Sequence, residues 1–287
     1  MPDSKPLAPP AGIDTPPSAS RNLLLRVASA AVLAPIAIGA TYLGGIAFTL
    51  LWTLAGLAIW WEWVRLVQPA GNQGVLATGF GVILIEGLLA GSDNMEIALI
   101  IAALGALATA ITSMRHAIWI AAGVFYAIAP LLASVALRGD DRIGLIAILF
   151  VFAVVWGTDI VAYFTGRAIG GPKLAPAISP KKTWSGAIGG TLAGIVGGLA
   201  VILVAGGMAS VRIILIAFLL SVVAQIGDLF ESGIKRHFEV KDSSGLIPGH
   251  GGVMDRLDGY IFAVPVAVLI GMAVAGLAMP AVGLIGR

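Results

Sequence analysis

The chain has no cysteine, which excludes disulfides and thiolate metal sites and leaves the redox state of its compartment open. Charge is also scarce: Asp, Glu, Lys and Arg make up 11% of 287 residues, against 59% apolar residues and a mean hydropathy of +1.00. Such a balance excludes a water-soluble globular domain. No internal repeat with a period of roughly 20–50 residues runs through it. A cleavable signal peptide is not expected, because the apolar stretch after Arg21 is interrupted by Arg26 and has no small-residue cleavage site at its end.

Long apolar runs are what the chain does have. They repeatedly reach the ~20 residues needed to cross about 30 Å of hydrocarbon. Spans are expected at 22–43, 46–66, 74–91, 95–112, 117–137, 143–165, 185–208, 211–231 and 258–280. The expected fold is an all-α integral membrane protein, a polytopic bundle of about nine transmembrane helices with its termini on opposite sides. Basic residues set the orientation. With the N-terminus cytoplasmic, 13 of the 17 Lys and Arg fall on the inner side, leaving Arg138, Arg142, Arg212 and Arg287 outside with Asp93, Asp140 and Asp141.

Residues 1–20 contain six prolines and few large apolar groups. They bury too little surface to offset ordering entropy, and a disordered cytoplasmic tail is expected. Helices of 21–140 then form an N-terminal group, and 141–287 a C-terminal group that carries the chemically rich loops. In span seven, Gly186, Gly190, Gly194 and Gly198 stand four apart on one face. That spacing lets two helix backbones approach closely, either within the chain or across a homodimer.

The densest polar cluster runs from Ser232 to Asp258 and holds four carboxylates, two histidines, five glycines and the cations Lys235, Arg236, Lys241 and Arg256. Ionisable groups near bilayer depth cost roughly 2.5–3.5 kcal/mol each at a helix centre unless paired or hydrated, so they mark a functional site. The cluster lies in one of two long loops, 166–184 and 232–257, both on the cytoplasmic side in this orientation. A helix bearing Asp228, Glu231, Ser232 and Lys235 near one face leads into the second loop. Gly245, Pro248, Gly249, Gly251 and Gly252 follow, a backbone able to turn tightly and offer amides to anionic oxygens. The next helix is expected to begin at about Asp255, with Asp258 one turn on.

Asp228, Asp255 and Asp258 are hard oxygen ligands suited to Mg²⁺, which usually takes one or two carboxylates plus substrate phosphates. Lys235, Arg236, Lys241 and Arg256 suit phosphate oxygens. The mixture points to a metal–nucleotide complex; an internally neutralised salt-bridge network is the plainer alternative. Elsewhere, Asp159 late in span six needs a partner and has Arg167 two turns on, so it either pairs there or lines the site. Glu86, deep in span three, receives no function. Trp60, Trp61 and Trp63 read as an interfacial anchor. His116 and His237 sit at membrane boundaries and are expected to be solvated.

These residues resemble bacterial phosphatidate cytidylyltransferases, the CDP-diacylglycerol synthases. The match runs through Ser232, Ile234, Lys235, Arg236, Lys241, Asp242, Ile247, Pro248, His250, Gly251, Gly252, Asp255, Arg256 and Asp258 without departure. It continues in AYFTGR at 162–167 and SPKKTW at 179–184; after Trp184, relatives often carry Glu where this chain has Ser185, so no role of that acid carries over. The resemblance covers the C-terminal half in detail and the remainder only by hydropathy.

The family implies the reaction of CTP with phosphatidic acid to CDP-diacylglycerol and pyrophosphate, with Mg²⁺ required, in phospholipid biosynthesis at a bacterial inner membrane, the active site facing the cytoplasm. The nucleophile is a phosphate already ionised at neutral pH, so charge neutralisation and positioning outweigh base catalysis. The expected ligands are Asp228 and Asp255, with Asp258 as a further ligand or a partner orienting Arg256, and the chemistry admits one cation or two. Lys235, Arg236, Lys241 and Arg256 are expected on the triphosphate, and Lys181 and Lys182 on the phosphatidate headgroup or closing over the nucleotide. Ser179 and Thr183 could add hydrogen bonds, and His250 a phosphate contact or support for the turn. The expected partners are CTP, phosphatidic acid and the bilayer, with no nucleic acid. Rival readings are a CTP-dependent lipid kinase, a cytidylyltransferase for another lipid phosphate, and a small secondary transporter using Asp159 and Asp228; the last fits poorly with polar chemistry gathered at one membrane face.

Overall fold

The computed structural model describes residues 19–68, 72–91, 95–139, 141–247 and 251–286. Among the described residues ten helices follow one another: α1 (Ala19–Leu43), α2 (Gly45–Val67), α3 (Gln73–Leu89), α4 (Met95–Ser113), α5 (Ala117–Arg138), α6 (Arg142–Ile169), α7 (Trp184–Val204), α8 (Val211–His237), α9 (Met254–Ala275) and α10 (Pro280–Ile285). The expected tail at 1–20 falls almost wholly outside the described residues. Each of α1 to α9 overlaps one of the nine segments expected as spans. Among the described residues, seven helices are long and apolar enough to cross a membrane, and the stretch 31–43 and α3 are shorter apolar helices. The protein is an all-α polytopic membrane protein.

Short polar caps start several helices: Asn72 accepts from Val75 N at 3.2 Å, Asp141 from Gly144 N at 2.6 Å, and Ser210 from Ile213 N at 3.3 Å. Each satisfies a helix-end amide that the hydrocarbon would leave unpaired. α9 has no such residue of its own, since Val253 at its N-cap makes no side-chain bond.

The glycine ladder lies inside the chain. Cβ atoms at Gly186, Gly190 and Gly194 would stand 2.8 Å from Ala162 O, 2.6 Å from Thr158 O and 2.5 Å from Thr158 Oγ1, so α7 packs backbone to backbone on α6. This face is taken up by α6 and leaves no ladder for a dimer. A polar seam continues inward, with Thr158 and Ser221 hydroxyls 2.7 Å apart and Gln225 Nε2 donating to Thr191 Oγ1 at 2.9 Å.

The tryptophan expectation is corrected. Trp60 and Trp63 are buried between helices, donating to Leu76 O at 3.3 Å and Trp119 O at 2.8 Å. Gly79 and Gly123 leave the space their rings fill. Only Trp61 is partly exposed, with the Arg65 guanidinium 4.7 Å from its ring centroid. His237 is exposed but rests on the Trp119 ring at 5.0 Å.

Two loop boundaries also differ. α6 runs on to Ile169 and α8 to His237, so the first residues of each expected loop are helix. Between α6 and α7 the chain forms an antiparallel hairpin of β1 (Lys173–Ala175) and β2 (Ser179–Thr183).

Candidate active site

At the end of the bundle that carries the hairpin, α6, β2, α7, α8 and α9 enclose a cavity of about 690 Å³. Asp159 faces it from α6, Lys181 and Lys182 from β2, Asp228 and Lys235 from α8, and Asp255, Arg256 and Asp258 from α9. Gly166, Gly186 and Ala187 keep the wall between α6 and α7 thin. The volume lies within the range of small-molecule and cofactor sites.

Charge is paired across this space. Lys182 forms an ion pair with Asp228, whose other oxygen is 3.4 Å from the Ser232 hydroxyl. Lys235 lies 2.5 Å from Asp255 Oδ1 and 3.2 Å from the fully buried Glu231. Asp159, Asp228 and Asp258 are close enough for their charges to interact. Carboxylates beside a polar cavity are oxygen donors of the type a hard divalent cation takes. Asp159 does not pair with Arg167, which donates to Tyr163 Oη at 3.1 Å instead.

Asp255 is held more tightly than a free ligand. Its Oδ2 accepts from Ser243 N at 2.9 Å, Ser243 Oγ at 2.9 Å and Gly252 N at 2.8 Å, while Oδ1 takes Lys235. The expected set of Asp228, Asp255 and Asp258 is therefore not a ready-made cage. Among the described residues no three histidines or carboxylates stand together to hold an ion unaided. At the end of the glycine turn carboxylates take up backbone amides. Gly252, Val253 and Met254 direct their amides to protein carboxylates, so these donors are not free for a substrate anion. A Cβ on Gly251, which has φ +85°, would come 2.7 Å from Asp255 Oδ2.

The remaining expected residues divide by position. Asp242 lines the cavity, and Thr183 is buried there as the cap of α7, accepting from Gly186 N at 3.1 Å. Ser179 begins β2 against Ala175, outside the cavity lining. Arg236 donates to Val240 O at 3.0 Å, and both it and Lys241 are exposed outside the cavity. Pro248, Gly249 and His250 lie outside the described residues. Ser185 donates to Gly170 O and shares a 3.0 Å hydrogen bond with Thr183, tying the end of α6 to the start of α7.

Sequence reasoning missed Glu62 in this region, as it did Gln225 in the cavity lining and Ser243 beside Asp255. Glu62 on α2 is fully buried and receives hydrogen bonds from Ser243, Ser244, Val253 and Met254. A carboxylate inside the apolar run WWEW was the available signal.

Fold and pocket together define a polytopic membrane protein with an enzyme-type site at one end of its bundle. The profile of the cytidylyltransferase family matches residues 24–274. A phosphatidate cytidylyltransferase of Brucella abortus biovar 1 (strain 9-941) is 44% identical over 254 residues, covering 87% of this chain and 93% of the relative. One from Bacillus subtilis (strain 168) is 43% identical over 132 residues, 46% of this chain and 49% of the relative. One from Staphylococcus saprophyticus is 48% identical over 123 residues, 42% of this chain and 47% of the relative. The chain belongs to the cytidylyltransferase family and is an enzyme of nucleotidyl transfer.

Proposed function

We propose that the protein is a phosphatidate cytidylyltransferase, joining CTP and phosphatidic acid to CDP-diacylglycerol with release of pyrophosphate. The observation that carries this reading is the single cavity in which Lys181, Lys182, Lys235 and Arg256 face Asp159, Asp228 and Asp258 at the end of a membrane bundle. In the reaction, a phosphatidate oxygen bonds to the α-phosphorus of CTP as the bond from that phosphorus to the bridging oxygen breaks. Pyrophosphate leaves with the bond's electrons. No proton need be removed from the nucleophile, so the protein's task is to bring two polyanions into line and neutralise them.

The cations divide that task by element. Lys181 and Lys182 approach from the hairpin, Lys235 and Arg256 from the helix ends, and phosphates held between them meet positive charge on two sides. Asp228 and Asp258, with Asp159 nearby, would hold Mg²⁺, whether as one ion or one of two. When bound, the cation supplies charge neutralisation at the phosphate oxygens. Asp255 serves here mainly by holding Lys235, Ser243 and Gly252 rather than as an open ligand. Arg236 and Lys241 belong to the rim, where they would attract anions.

The proposed setting is a bacterial inner membrane with the cavity facing the cytoplasm, where CTP is available. Support comes from Lys173, Lys181, Lys182, Lys235, Arg236, Lys241 and Arg256, all at or beside the same end of the bundle. A homodimer is not part of the proposal.

The test is conversion of CTP labelled in either its α- or γ-phosphate into lipid-extractable product by purified protein, with phosphatidic acid and Mg²⁺ each present or omitted. Transfer of the α-label that needs both supports the reading. Transfer of the γ-label identifies a lipid kinase, and no lipid label under any condition rejects lipid-linked transfer.

A further inference from the structure

Glu62 stands on α2, in the half of the chain that contributes nothing to the cavity lining. Its Oε1 accepts from Val253 N at 2.8 Å and Ser244 Oγ at 2.6 Å; its Oε2 accepts from Met254 N at 2.7 Å and Ser243 Oγ at 3.2 Å. Two of these donors are amides at the start of α9, which lacks a cap of its own. A carboxylate here satisfies unpaired amides and sits at the positive end of the helix dipole. Gly252 completes the fit, because a Cβ there would come 2.4 Å from Glu62 Oε1 and 2.0 Å from Ser243 Oγ.

The contacts lead directly to the cavity. Ser243 lies between the two carboxylates, its amide donating to Asp255 and its single hydroxyl proton shared between Asp255 and Glu62, and Asp255 holds Lys235. Arg256 and Asp258 follow within the first turns of α9 and face the cavity. On the other side, Trp60 and Trp63 lock the α2 segment around Glu62 through their indole hydrogen bonds.

We propose that Glu62 is a positioning residue for the transfer reaction, an N-terminal cap supplied by α2 that fixes the start of α9 so that Lys235 and Arg256 meet the substrate phosphates in line and Asp258 stays placed to hold the cation. The inference rests on the cytidylyltransferase reading of the cavity. An angstrom of misplacement at a reacting centre costs turnover more than binding, on the order of a hundredfold. Glu62→Gln replaces an acceptor-only group by one that turns an NH₂ toward backbone amides and hydroxyls that also donate.

The experiment compares wild type, Glu62→Gln, Glu62→Asp and Ser244→Ala as full-length protein in detergent or nanodiscs, measuring kcat and KM for CTP alongside hydrogen exchange across 243–256. In Glu62→Gln, kcat is expected to fall about 10- to 100-fold with KM for CTP within about threefold. Exchange at Val253 and Met254 should rise in the same variant. Glu62→Asp keeps the charge and should recover part of kcat. Should Glu62→Gln fail to fold, Ser244→Ala removes one donor only and should show the same pattern in smaller measure. Wild-type kcat in folded Glu62→Gln, or raised exchange without loss of turnover, overturns the proposal. A wild-type enzyme that makes no CDP-lipid while exchange still rises in Glu62→Gln instead sinks the reading of the cavity, leaving Glu62 as a cap with no transfer to serve.

Discussion

The ammonium of Lys182, on the hairpin strand β2, is ion-paired with the carboxylate of Asp228 on α8. A residue expected to bind a substrate phosphate thus neutralises a residue expected to bind a cation. Both side chains are about a quarter exposed, at 26% and 27%, so substrate and solvent can reach the pair.

Lys182→Ala should raise the apparent KM for one of the two substrates about tenfold while kcat falls less, because the remaining cations still line the cavity. Steady-state kinetics with each substrate varied in turn decides it. A collapse of kcat at unchanged KM would show that Lys182 acts on the transition state alone.

Asp255→Asn should abolish turnover and also lower stability. The change removes the Lys235–Asp255 ion pair and leaves Lys235 with Glu231 as its remaining partner; losing a hydrogen bond to a charged group in such a setting costs about 1.5–3 kcal/mol. Thermal unfolding in detergent, read beside membrane insertion and activity, separates the effects; full activity and an unchanged Tm would contradict the geometry around Asp255.

Chelation offers a test of the cation that needs no variant. Treatment with EDTA should reduce product formation to background, and added Mg²⁺ should restore it. Activity that survives exhaustive chelation would leave Asp228 and Asp258 without the role proposed for them.

Gly194→Val should weaken the seam between α6 and α7. Even the first added carbon would stand 2.5 Å from Thr158 Oγ1 and 3.0 Å from Val154 O. Overpacking of this kind costs about 1–3 kcal/mol. The readout is a lowered Tm with wild-type oligomeric state, whereas a change in oligomeric state alone would return the ladder to a dimer interface.

Much of this architecture was legible because a bilayer is a demanding solvent. Runs of ~20 apolar residues declare a span, and Asp228, Asp255 and Asp258 stood out as charges where charge is costly. Less legible was anything that depends on which helices meet. Residues 179–183 are polar and too short to announce a strand, so Lys181 and Lys182 were expected on a loop. Gly251 and Gly252 looked like a cradle for a substrate anion, yet Gly251 gives room to Asp255 and Gly252 to Glu62 and Ser243. Trp60 and Trp63 carry the composition of a membrane anchor, and only the glycines of facing helices, Gly79 and Gly123, reveal that they are core. Glu62 escaped because its partners Val253 and Met254 lie 191 and 192 positions away, and no local pattern spans that distance.

The cap supplied by Glu62 also sets an order for biogenesis. α2 leaves the ribosome long before α9 exists, and at about 5–20 residues per second the interval is roughly 10–40 s. During it the carboxylate has none of the amides that later receive it. Only the arrival of α9 provides the final partners. It follows that a fragment beginning after α5 would contain every residue of the cavity wall and still lack the group that caps α9.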